Sequence, residues 1–89
     1  MTLTGKQAKS IIRHILHHIS NSTTDPQITL TDQDLIDHQE RLTNLLHRVE
    51  SNNVQRRIVR IYELLEHIRL IRHQIKEEKI KAQQRHNTQ

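Results

Sequence analysis

The side chains most able to take part in chemistry are the histidines, because the sequence contains eight of them and no cysteine. His14 and His18 stand four residues apart, which places both on one flank of a helix and would let them share a metal ion. A stable site needs a third or fourth ligand, and the sequence contains no HExxH or comparable cluster. We therefore predict no metal and no cofactor, and interpret these histidines as solvated residues in the last turn of a helix.

His38 differs from the others because it occupies an apolar position of a predicted helix. The positions of this seam recur at steps of three and four, in the order Leu35, His38, Leu42, Leu45 and Val49. The simpler interpretation is a half-buried histidine that is hydrogen-bonded to a neighbouring helix. The alternatives are a pH-sensitive core position, since imidazole changes its charge near neutral pH, and a polar residue that sets the register of the seam.

The basic residues are concentrated in the second part of the chain. Residues 53–89 contain nine Lys or Arg against four Asp or Glu, whereas residues 1–52 contain five against six. At about 100° per residue, four cations fall on one side of a long helix, and they are the possible phosphate contacts: Arg56, Arg60, Lys81 and Arg85. Glu63 and Glu78 interrupt that side. With one tyrosine and no Phe or Trp, base stacking is not expected, so DNA or RNA would be bound through its backbone.

A second, weaker apolar line runs along the same long helix, away from its main stripe. We call it the outer line, and its members are Val59, Tyr62, Leu70 and Ile80. If the other helices cover only the main stripe, the outer line remains in water. An exposed apolar line of this kind commonly marks a partner interface, although single exposed Leu or Val residues are ordinary. We predict an interface on the outer line.

One segment resembles an enzyme family. Ile36-Asp37, Leu42, Leu45-Leu46 and Arg48 are similar to the first helix of the small all-α chorismate mutases, which would imply a helical fold and a carboxylate-binding active site. Those enzymes carry an arginine where this chain has Gln33, and their downstream cationic positions are not recognisable here. With no catalytic triad order and no Gly-rich phosphate loop either, we predict a protein that is not an enzyme and has no small-molecule substrate.

Three amphipathic helices must position these residues. The spacing predicts helices over about 4–19, 31–51 and 54–82, with N-caps at Thr4 and Thr31 and a frayed polar tail over 83–89. The main stripe of the third helix should seat both shorter helices, and it comprises Val54, Ile58, Ile61, Leu64, Leu65, Ile68, Ile71 and Ile75. The short break at residues 51–53 makes helices two and three an antiparallel hairpin.

Composition and length complete the prediction. The 89 residues contain one Gly and one Pro and are 33% hydrophobic, which favours a single all-α domain over residues 1–89, a three-helix bundle with marginal stability. No apolar run is long enough for a bilayer, so we expect no membrane association and a cytoplasmic location. The predicted function is a non-enzymatic interaction or assembly protein that forms a homodimer or binds a helical protein partner. The alternative is a regulator that binds DNA or RNA phosphates through the third helix.

Overall fold

The protein is an all-α three-helix bundle, as its apolar periodicity predicts. The computed structural model describes residues 3–87, and side chains over residues 3–84. The helices are α1 (Gly5–Thr24), α2 (Asp32–Arg48) and α3 (Asn52–Asn87). The backbone N–H of Leu3 donates to the carbonyl of Arg48 over 3.0 Å, so α1 begins beside the end of α2. Consecutive helices are therefore antiparallel, and α2 packs along α3 as the predicted hairpin.

α1 begins where the sequence predicts and ends later. The Thr4 side chain accepts from the backbone N–H of Gln7, and Gln7 Oε1 accepts from the backbone N–H of Thr4, which completes a capping box. The predicted end near residue 19 is wrong, because the helix continues to Thr24. Hydroxyls of the last turn bond back to carbonyls of the preceding turn, and the helix ends just before Pro26. The histidines His14 and His18 consequently lie inside α1 and not in its last turn.

α2 follows a short connector and has the second predicted cap. Thr31 accepts from the N–H of Asp34, and the Asp34 carboxylate accepts from the N–H of Thr31. The hydrogen bond from the Thr31 backbone N–H to the carboxylate, followed by the Thr31 side chain, lowers the pKa of Asp34. The helix ends at Arg48, short of the predicted residue 51, and the buried Val49 opens the tight connection to α3.

α3 is longer than predicted at both ends. It begins at Asn52, where the N–H of Gln55 donates to the carbonyl of Ser51, and it remains helical to Asn87. The predicted frayed tail over 83–89 is therefore helical as far as Asn87, and residues 88–89 lie outside the described part of the chain. Once a helix is nucleated in the bundle, each further residue that becomes helical gains one hydrogen bond. A polar sequence can therefore continue the helix.

The core is built from branched aliphatic side chains of all three helices. Its fully buried members are Ala8, Ile12 and Ile15 of α1, Leu35, Leu42 and Leu45 of α2, and Ile58 and Leu65 of α3. Val49 and Ile61 complete the cluster, and Ile68 is packed half-buried against it. The interior thus ends at about the level of Ile68.

Beyond that level α3 leaves the bundle. The prediction that its whole apolar stripe seats the two shorter helices is wrong, since Leu64, Ile71 and Ile75 are 45%, 41% and 46% exposed. The molecule measures 61 × 26 × 18 Å with a radius of gyration of 17.0 Å, against about 12 Å for a compact domain of this length. We call residues 73–87 the arm. Within the described residues, no helix combines the length and apolarity that crossing a bilayer demands.

Candidate interaction surface and histidine pair

A narrow apolar seam on α3 is only partly covered by the rest of the described chain. We call it the distal face, and it consists of the exposed Leu64, Ile71 and Ile75 together with Ile68, which is partly buried against the core. Steps of four, three and four residues keep these side chains within about 60° of one another around the helix, the pattern of a coiled-coil seam. A seam of that width matches one facing helix. The sequence analysis missed it as a surface because the same spacing also describes a core position.

The distal face has a basic border. Arg57, Arg60 and Lys79 are exposed and project within about 50° of its centre line. In the described part of the chain none of these three makes an ion pair. Of the four acidic residues of α3, only Glu78 lies at this border.

Ion pairs join α3 to the start of α2 at the level where the bundle ends. Arg72 Nη1 and Lys76 Nζ donate to the two carboxylate oxygens of Asp32 over 3.1 and 2.9 Å. The hydrogen bonds from Lys76 and Arg72 lower the pKa of Asp32. Because all three side chains are partly exposed, this contact orients the helix more than it stabilises it.

A buried amide of α2 is hydrogen-bonded to two side chains of α3. Gln39 is 4% exposed, and its Nε2 donates to Glu66 Oε2 over 2.8 Å. Its Oε1 accepts from Arg69 Nη1 over 2.7 Å, so both ends of the amide are satisfied by α3. Sequence reasoning overlooked this network, although a polar residue beside an apolar seam is a known device for fixing helix register.

The outer line is exposed as predicted, but it is not one continuous patch. Val59 and Tyr62 lie together beside Leu46 in a small apolar groove between α2 and α3. Leu70 borders a separate cleft, which it lines together with charged side chains that include Asp32 and Arg69. Ile80 lies about 15 Å farther along α3, on the arm. An interface on the outer line therefore stays a prediction, and it would have to join three separate sites.

The predicted phosphate contacts are spread along the helix. Arg56 and Arg60 lie on successive turns and line a shallow groove with Asn52 and Glu63. Lys81 is exposed about 30 Å from Arg60 along the helix axis. The backbone of Arg85 is helical, and its side chain lies outside the described residues. Binding of DNA or RNA by these residues stays a prediction.

His38 hydrogen-bonds to a neighbouring helix. Its Nε2 is 2.9 Å from Nδ1 of His18, and the two rings meet edge to face with centroids 5.1 Å apart. His18 Nε2 is 3.1 Å from the carbonyl of Thr29, which can only accept, so this nitrogen carries the proton and donates. In the neutral pair, His18 Nδ1 therefore accepts from His38 Nε2. The pair ties α1, the connector and α2 together.

This bonding leaves one buried nitrogen of the pair without a partner. His38 is 6% exposed, and its Nδ1 has no hydrogen-bond partner. Burial, followed by the nearby charge of His18, lowers the pKa of His38. The sequence pattern pairs His14 with His18 on one helix and does not predict the contact with α2. Residues 18 and 38 are equidistant from the middle of the observed connector (25–31) but not from the middle of the predicted one (20–30), so the predicted helix bounds gave no signal for this pair. Among the described residues, no group of three or more His, Cys, Asp or Glu could hold a metal ion.

The comparisons with known proteins add no family and no relative to these features. What the fold defines is a small all-α protein with a three-helix core and a projecting helical arm. No protein-family model, no curated protein and no solved structure matches the chain.

Proposed function

We propose that this protein is a non-enzymatic helical interaction protein that acts by helix–helix contact through the distal face. The contact is made either with a second copy or with another helical protein. The observation that supports this proposal is the exposure of Ile71 and Ile75, which continue the spacing of a core seam past the end of the bundle.

Energetics favour the same function. The chain is only 33% hydrophobic, and its interior ends near Ile68 while α3 continues to Asn87. A partner that covers the distal face would bury side chains that are now half in water, at about 25 cal/mol for each Å² of apolar surface. Such a partner would stabilise the folded chain by mass action.

Binding of nucleic acid is the second candidate function, and the exposed Arg56 and Arg60 on successive turns are what favours it. The two functions differ in their response to salt. Phosphate contacts weaken steeply as ionic strength rises, because binding releases counterions. An apolar helix–helix contact is nearly indifferent to salt or becomes tighter.

The test is the light-scattering mass of the protein at low and high salt, alone and with a generic duplex DNA or a structured RNA. A dimer that persists at high salt and ignores both nucleic acids would support helix–helix contact with a second copy. A monomer that ignores both leaves a different helical protein as the partner, which the peptide titration below tests. A salt-labile complex with DNA or RNA would overturn the proposal in favour of phosphate binding.

A further inference from the structure

We infer that the distal face docks an acidic amphipathic helix of a different protein. This inference rests on the proposed function and specifies its partner. The distal face supplies three exposed aliphatic side chains, and the partly buried Ile68, at the spacing of a coiled-coil seam, which favours a helix over other shapes. From Leu64 to Ala82 the available surface is about 28 Å long, the length of a helix of about 19 residues.

The charges around the seam indicate that the partner helix is acidic. Arg57 and Arg60 border its near end and Lys79 its far end, and none of them makes an ion pair within the described chain. The acids Glu66 and Glu77 project to the opposite side of α3, where they pair with Arg69 and His73. A facing helix with Glu or Asp beside its apolar seam would find cations at both ends.

A second copy of this chain meets these requirements only in part. Arg60 and Glu78 lie on one flank of the seam, and Lys79 lies on the other. In an antiparallel pair like flanks face each other, so Arg60 would pair with Glu78 of the other copy and leave Arg57 and Lys79 without an acid. In a parallel pair opposite flanks meet, so Lys79 would pair with Glu78 and leave both arginines without one. An acidic helix can pair with all three cations, and it therefore fits these charges better.

No helix of a second copy offers an acidic seam. α1 contains no Asp or Glu over Gly5–Thr24. α2 is acidic, but its apolar residues Leu35, Leu42 and Leu45 are already buried in its own core. The charges therefore favour a complementary helix from another chain.

A membrane surface also attracts basic amphipathic helices, yet the distal face is poorly suited to it. Helices that lie in a bilayer interface present a broad apolar face, commonly with Trp or Phe, and the chain has neither residue. The distal face spans about 60°, which is the width of a seam between two helices. The structure thus favours a protein partner over a lipid surface.

Titration with designed peptides tests the inference. The probes are helical peptides of about 20 residues that share one leucine seam, flanked in the first by Glu and in the second by Lys. A third peptide keeps the Glu flanks and replaces the seam by Ser. We expect the Glu-flanked peptide to bind at least about tenfold more tightly than the other two, with an affinity that falls as salt rises.

Matched variants locate the binding surface, with helicity as the check on folding. Ile71→Ser with Ile75→Ser should weaken binding of the Glu-flanked peptide about tenfold or more, whereas Leu70→Ser with Ile80→Ser should change it less than about twofold. Charge reversal at Arg60 and Lys79 should transfer the preference to the Lys-flanked peptide. The same reversal at Arg56 and Lys81 should leave the preference unchanged.

Several results would overturn the inference, and they distinguish it from the proposed function. Equal binding of both charged peptides, or self-association that Ile71→Ser with Ile75→Ser abolishes, would retain helix docking and reject an acidic partner. Binding to anionic phosphatidylserine vesicles in place of any peptide would identify a lipid surface and reject both. Failure of every peptide to bind to a protein that is also monomeric would likewise reject both.

Discussion

The two halves of α3 have the same apolar periodicity, but the apolar side chains that follow it are mostly buried in the first half and exposed in the second. In the first half Ile58, Ile61 and Leu65 are buried under α1 and α2. In the second half Ile71 and Ile75 follow at the same steps and remain more than 40% exposed. The difference is made by the length of the neighbours, because α2 has 17 residues and α3 has 36. Periodicity selects which face of a helix is apolar, and only the partner decides whether that face is core or surface.

We expect the largest change in stability when two adjacent leucines are each replaced by alanine and the two variants are compared. Leu65→Ala should lower the free energy of unfolding by about 2–5 kcal/mol, because a fully buried side chain is lost and a cavity remains. Leu64→Ala, the matched control at 45% exposure, should change it by less than about 0.5 kcal/mol. Urea denaturation of both variants measures the difference. Equal losses would show that Leu64 is also covered and that the boundary between the halves is misplaced.

Because of the histidine pair, we predict that the folded protein loses stability in acid. The folded pKa of His38 lies below its ordinary value of 6.5, so the unfolded chain binds the proton more readily. The contribution of neutral His38 is complete above about pH 6.5 and is lost as the pH falls through the folded pKa. The charges acting on it come from His14 and His18 of α1, which oppose protonation, and from Arg41 and Asp34 of α2, of which only Asp34 favours it.

Melting temperature between pH 8 and pH 5 measures this dependence. His38→Leu should flatten the acid side of the profile, whereas His47→Leu, which changes an exposed histidine of α2, should leave it unaltered. An acid loss of the same size in the His38→Leu variant would exclude His38 as its source.

A smaller effect is expected at the cap that starts α2. Thr31→Ala removes the acceptor for the N–H of Asp34 and should cost about 1 kcal/mol of stability. Its matched control is Thr23→Ala near the end of α1, where the hydroxyl only bonds back to the Ser20 carbonyl, and it should stay within about 0.5 kcal/mol of the parent. Denaturation midpoints measure both. A control that loses as much as Thr31→Ala would remove the special role of the cap.

The smallest effect concerns the ion pairs that mark the end of the bundle. Asp32→Asn should lower the melting temperature slightly at low salt, since Arg72 and Lys76 lose their charged partner. At about 1 M salt the difference from the parent should vanish, because exposed charges are screened over a few ångströms. Asp37→Asn on the exposed side of α2 serves as the control. A loss that persists unchanged at high salt would show that Asp32 acts through something other than charge.

Much of the fold could be predicted from the sequence, because local rules govern it. The caps at Thr4 and Thr31, the seam of α2 and the hairpin follow from residue type and spacing, and all are confirmed. The extension of α1 to Thr24 was missed because Ser, Thr and Asn are weak helix formers, and their back-bonding to the preceding turn is visible only in three dimensions.

The candidate site was harder to predict, because it depends on where helices end relative to one another. The sequence identified His38 as unusual but could not name His18 as its partner, since their contact requires the register of α1 on α2. It also identified the outer line, whose residues are exposed, and missed the distal face. Ile71 and Ile75 have the spacing of the buried isoleucines and are distinguished from them by an exposure of more than 40%, which is a property of the assembled fold.

We conclude that the rest of the described chain leaves the apolar face in the second half of α3 half-exposed. Hydrogen exchange along this helix tests that claim directly. In the monomeric protein, amides over residues 55–68 should be protected with the global stability, and those over 73–84 should exchange much faster. Addition of the Glu-flanked peptide should protect the second group and leave the first unchanged. Equal protection of both groups in the monomer, with no change on adding the peptide, would contradict the claim.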